Sequence, residues 1–254
     1  MGALHEGHLA LIKKAKKEND LVVCSIFVNP TQFNNKEDLA KYPRDLKKDI
    51  EFLESVNCDI LFVPNEKEMY PEDEKEKLLK LDFGNLDKIM EGKFRPGHFI
   101  GVATIVNKLF RIVEPDKAYF GEKDYQQLII IKKMVEKLKQ PIQIIPCSIK
   151  REKDGLAMSS RNARLTKEER KAAPFIYMLL KEAEKFYPVL SPSKIKNLVE
   201  KRFSENKNFI LEYFEIVDSS TLISLNKWEK MQNPIACIAA HLGKVRLIDN
   251  IKMQ

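Results

Sequence analysis

Residues 21–30, LVVCSIFVNP, decide the fold. A near-continuous apolar run rich in β-branched residues, stopped by Asn29-Pro30, is the pattern of a strand buried on both faces, as in a parallel sheet. Ahead of it, residues 8–17 set Leu9, Leu11, Ile12 and Ala15 on one face of a helix that Asn19-Asp20 closes. Behind it the alternation continues. A helical spacing over 42–56 (Leu46, Ile50, Leu53) leads to DILFV at 59–63, a short strand ended by Pro64. Helix 100–113 then leads to strand 117–120, and helix 125–138 to strand 142–149. Repeated alternation with short connections predicts an open parallel α/β sheet.

After about Thr166 the texture changes. Amphipathic helices over 167–187 and 193–203 precede strands over 210–217, 235–240 and 245–248, which predicts a smaller α+β domain. The boundary is placed near Leu165, giving domains 1–165 and 166–254. The chain has 254 residues, with 44% apolar and 32% charged side chains, an ordinary globular mix. Its net charge of +7 comes from lysines spread along the whole length, which reads as a solvated surface and not as a nucleic-acid footprint. No apolar run approaches the roughly 18 residues of a membrane helix, so no membrane partner is expected. Cys24, Cys58, Cys147 and Cys237 lie far apart, without a C-x-x-C pair or a secretory h-region at the start. Reduced, buried thiols of a cytoplasmic protein are the expectation.

Four segments carry chemistry. MGALHEGH, residues 1–8, puts His5 and His8 beside a helix N-terminus, where unpaired N–H groups and the dipole favour an anion such as phosphate. Metal ligation or a structural role are the alternatives, although no further His or Cys lies nearby to complete a metal site. GEKDYQQ, residues 121–127, turns a strand into a helix and brings Lys123 and Asp124 to where an open parallel sheet gathers ligands. Alone it would be a dipole-capping pair. DGLAMSSRN, residues 154–162, offers two hydroxyls and a guanidinium for phosphate oxygens, though a lone Ser-Ser-Arg is usually an exposed loop. NPTQF at 29–33 and RPGHF at 95–99 set polar groups next to aromatic ones, which suits a hydroxyl-bearing ligand; singly, each is an ordinary turn.

Together and in this order, HEGH, SIFVNPTQF, YPRD, RPGHF, GEKDYQQ, DGLAMSSRN and the late KVRLIDN closely resemble the pantothenate synthetase (pantoate–β-alanine ligase) family. The resemblance runs from Met1 to Asn250 and is densest before Leu165. His-x-Gly-His alone would indicate only the wider nucleotidylyltransferase group. What the resemblance implies is a Rossmann-like doubly wound sheet and a two-step ligase: Mg-ATP adenylates pantoate, and β-alanine then displaces AMP. A carboxylate nucleophile is ionised at neutral pH, so the first step needs alignment and charge stabilisation, with no general base. By resemblance, His5 and His8 hold the phosphates. Lys123, Ser159, Ser160 and Arg161 support the triphosphate and the transition state. Gly121 and Asp124 meet the ribose, Met158 flanks the nucleotide, and Met1 belongs to the ATP-binding set. Lys150 meets adenine through its main chain; an apolar residue is more usual there, so only the backbone role carries over. Gln32 and Gln127 hold the hydroxyls and carboxylate of pantoate. Mg²⁺ is expected on the ATP phosphates and waters, with no protein ligand named, and the assembly is expected to be a homodimer.

Two rival readings stand beside this one. A different nucleotidylyltransferase of the same architecture would need basic residues for a phosphorylated acceptor, whereas the acceptor pocket expected here has two Gln. An RNA-binding module would use the scattered lysines. One departure from the family concerns the start: relatives carry a few tens of residues ahead of this point, including a strand running into Pro-Thr-Met-Gly, and Met1 is the Met of that run. The expectation is that the functional polypeptide begins upstream and that a chain starting here is poorly stable or weakly active. Residues 22–27 and 117–120 would then flank a slot one strand wide, about 9–10 Å.

Overall fold

The structure, a computed structural model, describes residues 1–32, 39–40, 42–71, 78–228 and 233–254. Phe33 of the NPTQF motif lies outside the described residues. The chain forms two compact units, Met1–Glu122 with Gln126–Ser148, and Lys123–Tyr125 with Ile149–Gln254.

In the first unit, α1 (Glu6–Glu18) turns Leu9, Ile12 and Ala15 inward. They pack with Val22, Cys24 and Ile26 around β1 (Val23–Ser25) and with Leu53 of α2 (Leu46–Glu54). The helix expected from residue 42 begins only at Leu46, because the Asp45 carboxylate caps it by accepting the Lys48 N–H at 3.1 Å. β1 runs parallel to β2 (Ile60–Phe62), pairing Val23 with Ile60 and Ser25 with Phe62. Two short helices, α3 (Glu66–Met69) and α4 (Met90–Phe94), precede α5 (His98–Val113). β3 (Lys117–Gly121), α6 (Tyr125–Lys137) and β4 (Gln143–Cys147) complete the alternation, with β3 parallel to β4. α5 and α6 share a core in which Ala103, Ile130, Ile131 and Met134 show no exposure. Among the described residues no ladder joins β1 to β3; the two parallel pairs are separate sheets. β3 is tied to the end of α1, since the Tyr119 hydroxyl donates to Glu18 Oε2 at 2.9 Å and accepts from the Asn19 amide at 2.7 Å. Beside β1, the Met1 ammonium donates to the Ser25 carbonyl at 2.8 Å and the Met1 carbonyl accepts the Phe27 N–H at 3.1 Å.

The second unit packs α7 (Lys167–Ala172), α8 (Phe175–Lys185) and α9 (Pro192–Ser204) with an antiparallel sheet ordered β5 (Phe209–Asp218), β6 (Pro234–Leu242), β7 (Val245–Lys252). The single helix expected over 167–187 is two, because Pro174 has no N–H to continue the ladder. Leu179, Leu180, Ile195, Phe214, Ile238 and Leu247 form its core. Residues 149–165 fold with this unit, and Leu156 is 4% exposed in the same core.

Candidate functional site

The first unit builds the histidine loop from below. The Asp49 carboxylate of α2, only 3% exposed, accepts the Ala3 N–H at 3.0 Å and the Leu4 N–H at 2.6 Å, clamping the loop backbone ahead of α1. His5 stands extended as the N-cap of α1, and its Nδ1 accepts the Gly7 N–H at 3.1 Å. That bond places the proton of a neutral ring on Nε2, which makes Nε2 a donor. His8, one turn on, sits with its ring centroid 4.0 Å from that of His5. Two imidazoles thus meet at the N-terminus of a 13-residue helix, an arrangement that favours an anion.

Gln32 ends the 3₁₀ turn Pro30–Gln32, half-buried. Its carbonyl accepts from Arg95 at 3.3 Å and lies 2.8 Å from His98 Nδ1, so the RPGH segment grips the turn through its main chain. Asn29 holds the other end, donating to the Gly101 carbonyl at 3.2 Å and accepting from the Tyr70 hydroxyl at 2.8 Å. A Cβ on Gly101 would lie 2.5 Å from the Thr31 carbonyl oxygen, so only glycine lets α5 come this close to the turn. In α6 the adjacent glutamines divide their work. Gln126, 5% exposed, accepts the Glu91 N–H at 3.0 Å and donates to the Leu86 and Ile89 carbonyls at 2.6 and 2.9 Å, whereas Gln127 is half-buried.

Lys123, Asp124 and Tyr125 belong to the second unit, although Gly121 ends β3 in the first. The Lys123 carbonyl accepts from the Asn250 side chain at 3.0 Å, and the Tyr125 hydroxyl donates to the Ser219 carbonyl at 3.0 Å. Residues 150–158 form a small hairpin. The Met158 N–H donates to the Lys150 carbonyl at 3.0 Å, Arg151 pairs with Ala157, and Gly155 turns the chain at φ +91°. Ser159 then caps the 3₁₀ turn Ser160–Arg164, its hydroxyl oxygen accepting the Arg161 N–H at 3.3 Å. Arg151 braces the hairpin, its guanidinium bidentate on Asp249 at 2.6 and 3.0 Å and 3.9 Å from the centroid of the Tyr177 ring. Burial pushes the Asp249 carboxyl above its usual range, with Arg151 pulling against it.

The expected ligand residues therefore divide. Met1, His5, His8, Gln32, Gly121 and Gln127 lie in the first unit; Lys123, Asp124, Lys150, Met158, Ser159, Ser160 and Arg161 lie in the second. His5 and His8 touch one another, and Lys150 and Met158 share a hairpin bond. Sequence reasoning missed Asp49, Arg151, Asp249 and Asn250, which work on backbone or on one another; only the late KVRLIDN motif signalled the last two. Among the described residues no group of three or more His, Cys, Asp or Glu gathers into a metal-holding cluster.

Parallel β–α units followed by a separate antiparallel sheet define a Rossmann-like α/β protein with a C-terminal α+β domain. A sequence model of the family described as "Pantoate-beta-alanine ligase" matches residues 1–252, and the chain belongs to that family of ligases. It is 52% identical over 256 residues to the pantothenate synthetase of Christiangramia forsetii, covering 100% of this chain and 89% of the relative. It is 47% identical over 254 residues to that of Porphyromonas gingivalis, covering the same shares. A crystal structure of pantothenate synthetase from Thermus thermophilus superposes with a TM-score of 0.94 at 42% identity, covering 100% of this chain and 91% of that one. The pantoate–β-alanine ligase of Francisella tularensis, complexed with β,γ-ATP and β-alanine, superposes with a TM-score of 0.81 at 41% identity, covering 100% of this chain and 87% of that one.

Proposed function

We propose that this chain joins pantoate to β-alanine at the expense of ATP in two steps. The pantoate carboxylate attacks the α-phosphorus of Mg-ATP, forming pantoyl adenylate and releasing pyrophosphate. The β-alanine amine then attacks the acyl carbon and expels AMP. The observation that carries the reading is the pair of imidazoles, 4.0 Å apart, at the N-terminus of α1. The donor on Nε2 of His5 suits a phosphate oxygen, and His8 adds a second ring to the same anion. Lys123, Ser159, Ser160 and Arg161 supply the remaining positive charge and hydroxyls as charge shifts to the leaving pyrophosphate.

In the same reading Gly121 and Asp124 meet the ribose, while Met1, Met158 and the Lys150 main chain line the nucleotide. The Lys150 carbonyl is engaged within the hairpin, so its peptide is held still for adenine. Gln32 and Gln127 take pantoate; the clamp on the Gln32 main chain leaves its amide for the ligand. Mg²⁺ enters as part of the nucleotide substrate, carried by phosphates and waters. In function the chain divides near residue 165: every residue assigned to ATP or pantoate precedes it, and 166–254 serve as a lid domain. We place the enzyme in the cytoplasm as a homodimer, with small-molecule substrates and no nucleic-acid or membrane partner. The four free thiols accord with a reducing compartment, and light scattering on the purified chain tests the dimer.

AMP release that requires ATP, pantoate and β-alanine together is the direct test. His8→Ala and Lys123→Ala are each expected to slow single-turnover adenylate formation by on the order of 10²–10³. A near-normal rate in either variant removes that residue from the machinery.

A further inference from the structure

The end of the KVRLIDN motif has no place in the ligand set, yet it touches Lys123 of that set and reaches the hairpin of Lys150 and Met158 through Arg151. Asp249 and Asn250 lie in β7, each 4% exposed. The Asn250 side chain donates to the Lys123 carbonyl at 3.0 Å, and its own N–H donates to Asp249 Oδ1 at 2.8 Å. Asp249 receives the fork of Arg151, which also donates to the Gly155 and Asn250 carbonyls, both at 3.1 Å. One strand thereby holds the Lys123 main chain on one side and, through Arg151, the hairpin of Lys150 and Met158 on the other. The bond to Lys123 engages its carbonyl and leaves its side chain to the ligand.

We propose that Asn250, backed by Asp249 and Arg151, is a positioning residue of the adenylation step, fixing the Lys123 backbone against the hairpin. This rests on the reading of Lys123 as a phosphate-binding residue. A lysine ammonium rides on a flexible four-carbon stem, so its reach is set by where its backbone is held. A displacement of about 1 Å at a reacting group is worth up to about 10²-fold in rate. Buried polar networks in which each member is satisfied rigidify what they touch.

Asn250→Asp keeps the shape of the side chain and turns its donor into an acceptor. Single-turnover adenylate formation is compared in the unchanged chain, Asn250→Asp, Lys123→Ala and the double variant. Asn250→Asp is expected to slow the step by about ten- to a hundredfold, with pantoate affinity unchanged. In the Lys123→Ala background it is expected to add less than about twofold, because both act through one group. A purely structural role would instead slow both backgrounds equally, and that result overturns the proposal. A slow Lys123→Ala beside a normal Asn250→Asp removes this proposal alone, whereas a normal Lys123→Ala removes the phosphate role of Lys123 and this proposal with it. If circular dichroism shows Asn250→Asp unfolded, Asn250→Leu carries the same comparison, and failure of both to fold overturns the proposal in favour of a structural role.

Discussion

Gly155 has two independent reasons to lack a side chain: its φ is +91°, and a Cβ there would overlap the Tyr177 ring. Gly155→Ala is therefore expected to lose about 2–4 kcal/mol, from left-handed strain and overpacking together, read as a lower urea midpoint. Pairing it with Tyr177→Leu should restore the overpacking part and leave the strain. Cys24 makes a different prediction. Burial pushes its thiol from 9.0 to about 11. A folded-state pKa above the unfolded one means stability complete below pH 9 and lost as pH rises through about 11. Two units correspond to about 3 kcal/mol, so between those pH values the unchanged chain should lose about that much more unfolding free energy than Cys24→Ala. The same burial predicts slow alkylation of Cys24 at pH 8. None of this is legible from composition, which shows a cysteine and a glycine but not their neighbours.

Elements were legible where one periodicity ruled. The apolar run at 21–28 holds β1, and the alternation after it holds β2 to β4 with their helices; the expected burial on both faces is not met, since Val22, Cys24 and Ile26 are buried while Leu21 is exposed and Val23 half-buried. Boundaries moved where local chemistry intervened: Asp45 delays α2, and Pro174 divides the helix expected over 167–187 into α7 and α8. The short helices α3 and α4 gave no signal, being too brief for a periodicity. The seating of α5 on the Pro30–Gln32 turn was equally hidden, since it depends on what Gly101 faces. In an ordinary helix interior Gly→Ala stabilises by roughly 0.5–1 kcal/mol. Here the new methyl meets the Thr31 backbone, so Gly101→Ala is expected to reverse the sign and cost about 1–3 kcal/mol. It should also raise the pantoate KM more than the ATP KM, by displacing Gln32; equal changes in both would remove Gln32 from the pantoate site.

At the scale of the whole molecule, the motifs named the residues proposed to meet ligands but not what holds them. His5, His8, Lys123 and the Ser-Ser-Arg run announce themselves by type and order. Asp49 and Asn250 lie far along the sequence from what they support, as Arg151 does from the Asp249 that holds it, and no local spacing links them. Long-range pairing also sets the edge of the compact units at Ser148 and Ile149, ahead of the boundary placed near Leu165. Beyond the bonds of their own hairpin, Arg151 and Leu156 find their partners past residue 165, in Asp249 and in the core around Ile176 and Leu247. A fragment of residues 1–165 is therefore expected to carry 149–165 as a protease-sensitive tail, cut much faster than in the full chain under limited trypsin digestion. Comparable protection in both would show that this stretch folds without its distal partners. The Lys123–Asn250 bond also spans 127 residues of sequence, and translation proceeds at roughly 5–20 residues per second. A ribosome that has just made Lys123 must work for about 6 to 25 s before the residue that anchors it exists. The nascent first half consequently waits with its Lys123 turn untied, and an interrupted message yields a stub in which the ATP contact proposed for Lys123 has no anchor.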